Sequence, residues 1–181
     1  SCRLGAMQVH RIPARARLPI ALAAVVLAAL AAVAAEGSPA LRKGRVEWVA
    51  DGDTITVRLE ETKEKVRLVG IDTPELDDAN PWWRALAERA RDHAKSRLLG
   101  KTVVLEPDAL SADRDKYGRL LRYVILDGAD VNEEMIREGY ARAYTRFAFE
   151  RAARYKEAEK AARAAKIGRW APREGERRGG S

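Results

Sequence analysis

Residues 66–76, VRLVGIDTPEL, decide both the fold and the candidate chemistry of this 181-residue chain. The run is apolar enough for a buried strand, yet Arg67 lies inside it, and it ends in two carboxylates, Asp72 and Glu75, around Pro74. Moving an unpaired ion out of water costs several kcal/mol, so a core strand normally avoids such charges. The pattern therefore predicts a functional site at the end of a buried strand.

Two strands are predicted ahead of this run. The first begins at Gly44 and alternates apolar with polar residues, its apolar positions being Val46, Trp48 and Ala50. The second, residues 53–60, follows an Asp-Gly turn and carries Asp53 on the same face as three apolar residues, Ile55, Val57 and Leu59. With residues 65–71 as a third strand that is apolar on both faces, the segment predicts an antiparallel meander inside a closed sheet.

The rest of the chain predicts two more strands and three helices. Residues 82–99 have apolar residues four apart and stop at Gly100, which is typical of a surface helix. Residues 102–106 and 120–126 have strand composition. A short helix through Glu138 is capped by Asp130 or Asn132, and residues 149–166 form a helix rich in Ala and charged residues. The fold class is therefore α+β, with five strands that can close a small barrel.

The N-terminal region is expected to lie outside the domain. Residues 7–35 combine a basic start, a charge-free run over residues 18–35 and a small-residue exit, which is typical of a secretory signal peptide. An uncleaved membrane anchor is the alternative, since 18 apolar residues reach the lower limit of a bilayer span. Residues 1–6 are expected to be a non-native addition, 36–43 a linker, 44–172 the domain and 173–181 a disordered tail.

Charge gives weak support for a polyanionic partner. The formal net charge is +7, but removal of residues 1–34 leaves 30 basic residues against 27 acidic ones, which an ordinary solvated surface explains. The single cysteine, Cys2, and one of the two histidines are lost with that segment. A cysteine nucleophile is therefore excluded, and acid–base chemistry is left to carboxylates, lysines and arginines.

Five ordered segments resemble the staphylococcal nuclease (thermonuclease) family. They are VADGDTITV, VRLVGIDTPE, DKYGRLLRYV, VN..MI.EGYA and IGRW, spread over about residues 44–170. The resemblance implies an OB-fold barrel with three helices and a calcium-dependent phosphodiesterase that leaves 3′-phosphate ends. It further implies calcium ligands and catalytic residues at matching positions. The implied ligands are the Asp53 and Asp72 carboxylates with the Thr73 carbonyl, and the implied catalytic residues are Arg67, Glu75 and Arg119.

The residue types fit these roles on physical grounds. Calcium takes six to eight oxygen ligands, so waters and a substrate phosphate are expected to complete a site with few carboxylates. Guanidinium groups present a planar fork to phosphate oxygens, and Glu75 is the best candidate to orient or deprotonate the attacking water. One difficulty is that Arg67 and Asp72 would point to opposite faces of a regular strand. We expect a bulge or bend at Gly70 to correct this.

A further set of residues is predicted to bind substrate. Lys116, Tyr117 and Tyr144 suit a groove in which bases stack on aromatic rings and lysines meet phosphates, and Tyr140 and Phe147 suit it less specifically. Core packing or plain surface exposure is the alternative for each of them. For the three tryptophans Trp82, Trp83 and Trp170, packing is the favoured interpretation.

The leading hypothesis is thus an exported, monomeric nuclease, secreted or periplasmic, that hydrolyses DNA and RNA with Ca²⁺ and acts chiefly on single strands. A non-catalytic OB-fold module that binds nucleic acid is the alternative, but such a module has no need of the Arg67, Glu75 and Arg119 set. A third hypothesis is a membrane-tethered surface protein, if residues 18–35 are retained.

Overall fold

The computed structural model describes residues 40–173, whose centre is a closed barrel of five strands. The barrel strands are β1 (Arg42–Val49), β2 (Thr54–Leu59), β3 (Thr62–Leu68), β5 (Thr102–Pro107) and β6 (Leu120–Leu126). Two-residue strands follow at β4 (Ile71–Asp72), β7 (Ala129–Asp130) and β8 (Arg142–Ala143). The helices are α1 (Pro81–Leu98), α2 (Val131–Arg137) and α3 (Ala152–Ala164), and a 3₁₀ turn spans Gly168–Trp170.

The barrel closes through one parallel pair. Neighbouring strands in the order β3-β2-β1-β5-β6 are antiparallel, while β3 returns to β6 in parallel register, with Arg67 opposite Leu121. The inward residues of these strands are almost fully buried, and α1 adds Leu86, Ala90, Ala94 and Leu98 to the interior. The predicted α+β class, with a five-stranded OB-fold barrel and three helices, is confirmed.

A β-bulge changes the predicted face of β1. Val46 lies opposite Val57, but the register shifts so that Trp48 lies opposite Thr56. Val46 and Val49 are buried, whereas Trp48 keeps 63% of its surface exposed. The prediction that Val46, Trp48 and Ala50 share one face is therefore wrong beyond Val46, because the extra residue of the bulge turns the following side chains over.

The predicted strand 65–71 is divided in two. β3 begins earlier, at Thr62, and ends at Leu68; the chain then turns at Gly70, whose φ is +76°. β4 pairs with β8 instead of continuing the barrel. A Cβ at Gly70 would lie 2.5 Å from Cε2 of Phe149, so both the backbone conformation and the space require glycine. The expected bend at Gly70 is present.

Helix boundaries differ from the sequence expectation by a few residues. Asn80 caps α1 by accepting the backbone N–H of Trp82, and Pro81 takes the first helical position. Asp130, rather than Asn132, caps α2 through the N–H of Glu133. The fully buried Asn132 instead accepts the N–H of Val124 at 3.0 Å and so ties α2 to the barrel. α3 is shorter than the predicted 149–166.

Three predictions concern residues at or beyond the ends of the described chain. The candidate signal segment within 1–35 and all but the first residue of the 173–181 tail lie outside residues 40–173. β1 begins at Arg42, two residues before the expected domain start at 44. Among residues 40–173, no helix combines the length and apolar character needed to cross a bilayer.

Candidate active site

The candidate residues come together where the end of β3 and the start of β6 meet a long loop. A groove of about 720 Å³ opens there. It is lined by residues of the predicted site and of the predicted substrate-binding set, namely Arg67, Asp72, Lys116, Tyr117, Arg119 and Tyr144. The parallel β3–β6 pair explains this placement, because it sets Arg67 beside the start of β6, and Arg119 immediately precedes β6.

Asp53 is a buried carboxylate held by several donors. The residue is 7% exposed, and its Oδ2 accepts hydrogen bonds from the backbone N–H and the hydroxyl of Thr73, both at 3.0 Å. Its Oδ1 accepts the hydroxyl of Thr54 at 3.1 Å. Burial raises the pKa of Asp53 to about 6, Arg67 opposes the rise, and Asp51 adds to it. A positive charge beside Asp53 is therefore needed to hold the ionised form.

Arg67 supplies such a charge within the protein. Its Nη2 lies 3.1 Å from Asp53 Oδ2 and 3.9 Å from Asp72 Oδ1, so two carboxylates converge on one guanidinium nitrogen. Its Nη1 donates to the carbonyl of Leu68 at 2.7 Å. The side chain is 16% exposed. These pairings explain how an arginine is tolerated between the buried residues Val66 and Leu68.

Asp72 is held from a second side by arginines that the sequence analysis missed. Arg142 lies opposite Asp72 in the β4–β8 pair, and its Nε donates to Asp72 Oδ2 at 2.8 Å. Arg169 Nη1 donates to the backbone carbonyl of Asp72 at 3.1 Å. Neither contact has a local sequence signal, because both join segments at least 70 residues apart. Only the pairing of two very short strands brings Arg142 to this place.

Arg119 is positioned by the loop that precedes β6. Asp115 Oδ1 accepts the backbone N–H groups of Tyr117 and Arg119, and Asp115 Oδ2 accepts the Arg119 Nε at 2.7 Å. Arg119 Nη1 donates to the Thr54 hydroxyl at 3.4 Å, which links the loop to β2. Asp115 therefore fixes both the turn and the guanidinium. Asp115 belongs to the DKYGR motif that the sequence analysis singled out, but no role was predicted for it.

Glu75 is the least constrained of the predicted catalytic residues. It is exposed, and among residues 40–173 no hydrogen bond or ion pair holds its carboxylate. Partial burial of the carboxylate raises its pKa, and the charges of Asp53, Asp72 and Asp77 raise it further. The structure thus brings Glu75 into the electrostatic field of the two aspartates without fixing its orientation.

The acidic residues of the site suit a hard cation. Among residues 40–173, no group of three or more His, Cys, Asp or Glu side chains is arranged to hold a metal ion. Asp53 Oδ2 and Asp72 Oδ1 nevertheless lie 3.1 Å and 3.9 Å from the same nitrogen of Arg67, and the backbone nitrogen of Thr73 lies 3.0 Å from Asp53 Oδ2. Calcium accepts such a mixture of carboxylate and carbonyl oxygens, with waters in the remaining positions. The carboxylate oxygens of Asp53 and Asp72 are thus of the type that calcium binds.

Lys116, Tyr117, Tyr144 and Phe147, four of the residues suggested for substrate binding, line the groove. Tyr117 is 71% exposed, with Lys116 Nζ 4.9 Å and Arg119 Cζ 5.4 Å from its ring centre. Tyr144 lies 6.0 Å from Phe147, ring centre to ring centre, and both line the groove. Tyr140 does not belong to this set, because it stacks on His93 at 4.5 Å, away from the lining residues. Trp82 and Trp83 pack against each other edge to face, with their ring centres 4.5 Å apart.

Comparison with known proteins gives a consistent result. A family model described as "Staphylococcal nuclease homologue" matches residues 65–172. An uncharacterised protein of Methanocaldococcus jannaschii is 31% identical over 147 residues, which cover 70% of each chain. The thermonuclease of Staphylococcus hyicus is 38% identical over 99 residues, covering 55% of this chain and 57% of its own. Endonuclease YncB of Bacillus subtilis is 41% identical over 92 residues, covering 51% and 43%. The aligned part thus spans less than two thirds of either named nuclease.

Proposed function

The chain belongs to the staphylococcal nuclease family, and from that premise we propose that it is a calcium-dependent nuclease that hydrolyses the phosphodiester bonds of DNA and RNA. The observation that carries the proposal is the convergence of the Asp53 and Asp72 carboxylates on Arg67, beside Arg119, at the edge of one groove. A binding module has no use for two carboxylates at the edge of a groove meant for a polyanion, whereas a metal-assisted hydrolase does.

In this proposal Asp53, Asp72 and the Thr73 carbonyl hold calcium. The bound ion supplies positive charge that polarises a phosphoryl oxygen. Asp53 is suited to the role because Thr73, through its N–H and hydroxyl, and Thr54 fix both of its carboxylate oxygens. Asp72 is suited to it because Arg142 fixes its Oδ2 while Oδ1 stays on the side of Asp53.

Arg67 and Arg119 bind the scissile phosphate and stabilise the charge that builds up on its oxygens. Each guanidinium is held by more than one partner, Arg67 by the Leu68 carbonyl and the Asp53 carboxylate, and Arg119 by Asp115 and the Thr54 hydroxyl. Anchoring lowers the conformational entropy that a flexible arginine would lose on binding, so the donors are ready for the transition state.

Glu75 orients or deprotonates the attacking water. Burial and the neighbouring carboxylates raise the pKa of Glu75, which makes it a stronger base than an ordinary glutamate. No side chain ties its carboxylate within residues 40–173, so its orientation is set by water and substrate. The water oxygen bonds to phosphorus as the P–O5′ bond breaks, which leaves a 3′-phosphate. Glu75 takes one proton of the attacking water, and the leaving 5′ oxygen takes a proton from solvent to give the 5′-hydroxyl.

The groove favours an unpaired, anionic strand as substrate. Five basic side chains line it, namely Arg67, Arg114, Lys116, Arg119 and Arg146. The exposed ring of Tyr117 and the rings of Tyr144 and Phe147 offer stacking surfaces for bases that are not paired in a duplex. We propose single-stranded DNA and RNA as the preferred substrates of an exported monomer, secreted or periplasmic. If residues 18–35 remain on the mature protein, the same domain faces outward from a membrane.

A non-catalytic nucleic-acid-binding module is the second candidate. The free Glu75 carboxylate favours it, since a binding module would not need to position that side chain. Such a module would bind nucleic acid through the same groove and basic side chains, but it would not cleave it at any calcium concentration.

The deciding experiment is degradation of single-stranded DNA and RNA by the purified chain, with calcium titrated against a chelator. Asp72→Asn serves as the matched variant, because it removes one carboxylate charge while leaving the residue the same size. Cleavage that requires calcium and is lost in Asp72→Asn supports the nuclease. Absence of cleavage by protein shown to be folded by circular dichroism, with retained DNA binding, favours the binding module.

A further inference from the structure

The outer surface of β1, β2 and β3 carries a cluster of cations next to one exposed tryptophan. The register places Arg45, Arg58 and Lys63 opposite one another across the three strands, and it places Trp48, Thr56 and Lys65 in the adjacent row. We call the side chains Arg45, Trp48, Arg58, Lys63 and Lys65 the outer basic face. None of them lines the catalytic groove.

Trp48 differs from the other tryptophans of the described chain in that its ring is not covered. It is 63% exposed, and among residues 40–173 no aromatic ring or cation lies over it. By contrast, Trp83 and Trp170 each have Arg169 within 5.3 Å of the ring centre, and Arg173 lies 4.8 Å from that of Trp82. Most of the Trp48 side chain is therefore open to solvent, where its ring can stack on a ligand.

The charge of this face is complementary to a polyanion. Glu47 forms ion pairs with two of these cations, with Arg58 at 2.5 Å and with Lys63 at 2.8 Å. Lys65 is exposed and makes no ion pair within residues 40–173, and Arg45 is exposed as well. Four cations against one carboxylate leave the face positive, with Lys65 ready to contact a phosphate.

The outer basic face is continuous with the groove. Lys65 precedes Arg67 by two residues and points to the same side of β3, so their Cα atoms lie about 7 Å apart. Trp48 lies two strands away from Lys65 in the same row, which is about 10 Å. Thr54 lies opposite Arg67, and its hydroxyl accepts a hydrogen bond from Arg119. Thr56 lies two residues further along β2, on the same face as Thr54. A strand leaving the groove along β3 therefore meets Lys65 first and then Trp48.

We propose that Trp48 and Lys65 form an accessory site for single-stranded nucleic acid, in which Trp48 stacks on an unpaired base and Lys65 binds the adjoining phosphate. The inference rests on the proposed function, because it extends the path of the same substrate beyond the catalytic groove. Base stacking on an exposed ring together with cationic contact to the backbone is the general mode of sequence-tolerant single-strand binding.

The test measures binding by the full chain in chelator, so that no cleavage occurs. The probes are fluorescein-labelled oligothymidylates of about twelve and about three nucleotides, the longer being within the span of one OB-fold. Trp48→Ala is compared with Leu41→Ala, which removes another large exposed apolar side chain (63% and 65% exposed). Lys65→Gln is compared with Lys156→Gln, which removes an exposed charge from α3.

Trp48→Ala is expected to weaken binding of the longer probe about tenfold and to leave the shorter probe unaffected. Trp48→Phe is expected to restore most of the loss, because a phenyl ring still stacks. Lys65→Gln is expected to reduce the slope of log affinity against log salt by about 0.7 for the longer probe. A duplex of the same length is expected to be insensitive to Trp48→Ala, since its bases are already stacked on one another.

Equal affinity of wild type, Trp48→Ala and Leu41→Ala for the longer probe would overturn the accessory site, as would equal losses for the duplex and the single strand. The proposed nuclease activity is tested separately, by measuring calcium-dependent cleavage of the shorter probe, which fits within the groove alone. If wild type cleaves but Trp48→Ala binds normally, the accessory site is wrong and the nuclease stands. If the wild type neither binds nor cleaves, both fail.

Discussion

Arg142 Nε lies 2.8 Å from Asp72 Oδ2, so one oxygen of a proposed calcium ligand is already occupied by an arginine. The pair is half-exposed, with 49% of the Arg142 side chain and 27% of the Asp72 side chain open to solvent. Arg142 therefore has two opposite effects on a bound cation: it orients the carboxylate and it competes for its charge.

Arg142→Gln is predicted to tighten calcium binding about two- to fivefold, because an exposed charge pair of this kind contributes at most about 1 kcal/mol. Isothermal titration of calcium measures this directly. Arg91→Gln is the matched control, since it removes an arginine from another solvent-exposed pair, with Asp92. Weaker calcium binding in Arg142→Gln would mean that orientation of Asp72 outweighs competition for its charge.

Glu75→Gln is predicted to lower kcat by about 10²- to 10⁴-fold, the usual contribution of a general base. Stability should not change, because the Glu75 side chain is exposed and makes no hydrogen bond within residues 40–173. Single-turnover cleavage of single-stranded DNA and thermal melting give the two readouts. Glu88→Gln, an exposed glutamate on α1, controls for the loss of one negative charge. Activity near that of wild type would remove Glu75 from the mechanism.

The barrel could be predicted from sequence because its information is local. Period-two alternation in β2, the turn signals around it and the helical spacing of α1 each lie within a few residues, and the resemblance ordered them into one fold. The bulge in β1 could not be predicted in this way. A single additional residue reverses which side chains face inward, and nothing in the sequence around Trp48 distinguishes a bulged strand from a regular one.

The candidate site also contains residues that local sequence motifs could predict and residues that they could not. Asp53, Arg67, Asp72 and Thr73 lie in two motifs, so the sequence could single them out as one candidate site, and the roles that the resemblance implies for them stay predictions. Arg142 and Arg169, which hold Asp72, were missed because they reach it from 70 and 97 residues away. The strand pair that delivers Arg142 has two residues on each side, too few to leave any periodic pattern. Contacts of this kind become visible only in three dimensions.

Acid sensitivity is predicted to depend on Asp108, which is 3% exposed at the junction of β5 with the start of α3. Its Oδ1 accepts the Tyr123 hydroxyl at 2.5 Å and the Glu150 N–H at 2.7 Å. Burial by itself raises the pKa of Asp108, but these hydrogen bonds outweigh burial and hold the pKa below its ordinary value of 3.8. The ionised form is thus the one that stabilises the fold. Its contribution is complete above the unfolded pKa and is lost as the pH falls through the lower, folded value.

Asp108→Asn should lower the free energy of unfolding by about 1–3 kcal/mol at pH 7, since a buried hydrogen-bonded charge is replaced by a group with fewer acceptors. The difference from wild type should shrink as the pH is lowered below about 4. Urea unfolding at several pH values measures both effects. Asp92→Asn, with 66% of the side chain exposed, is the control and should change little. A pH-independent difference between wild type and Asp108→Asn would show that the charge of Asp108 does not contribute.

Gly70→Ala is predicted to be among the most damaging small substitutions in the domain, because it affects the bend that delivers Asp72 to Arg67. The left-handed backbone at φ +76° costs an alanine about 1–2 kcal/mol. In addition, the new Cβ would lie 2.5 Å from the buried ring of Phe149. Gly128→Ala is the matched control, with φ +81° and no atom within 4 Å of its Cβ, so it isolates the backbone cost. Urea unfolding should show a larger loss for Gly70→Ala, and calcium affinity should fall in that variant alone. Equal losses of stability would mean that Phe149 moves aside and that the bend tolerates a side chain.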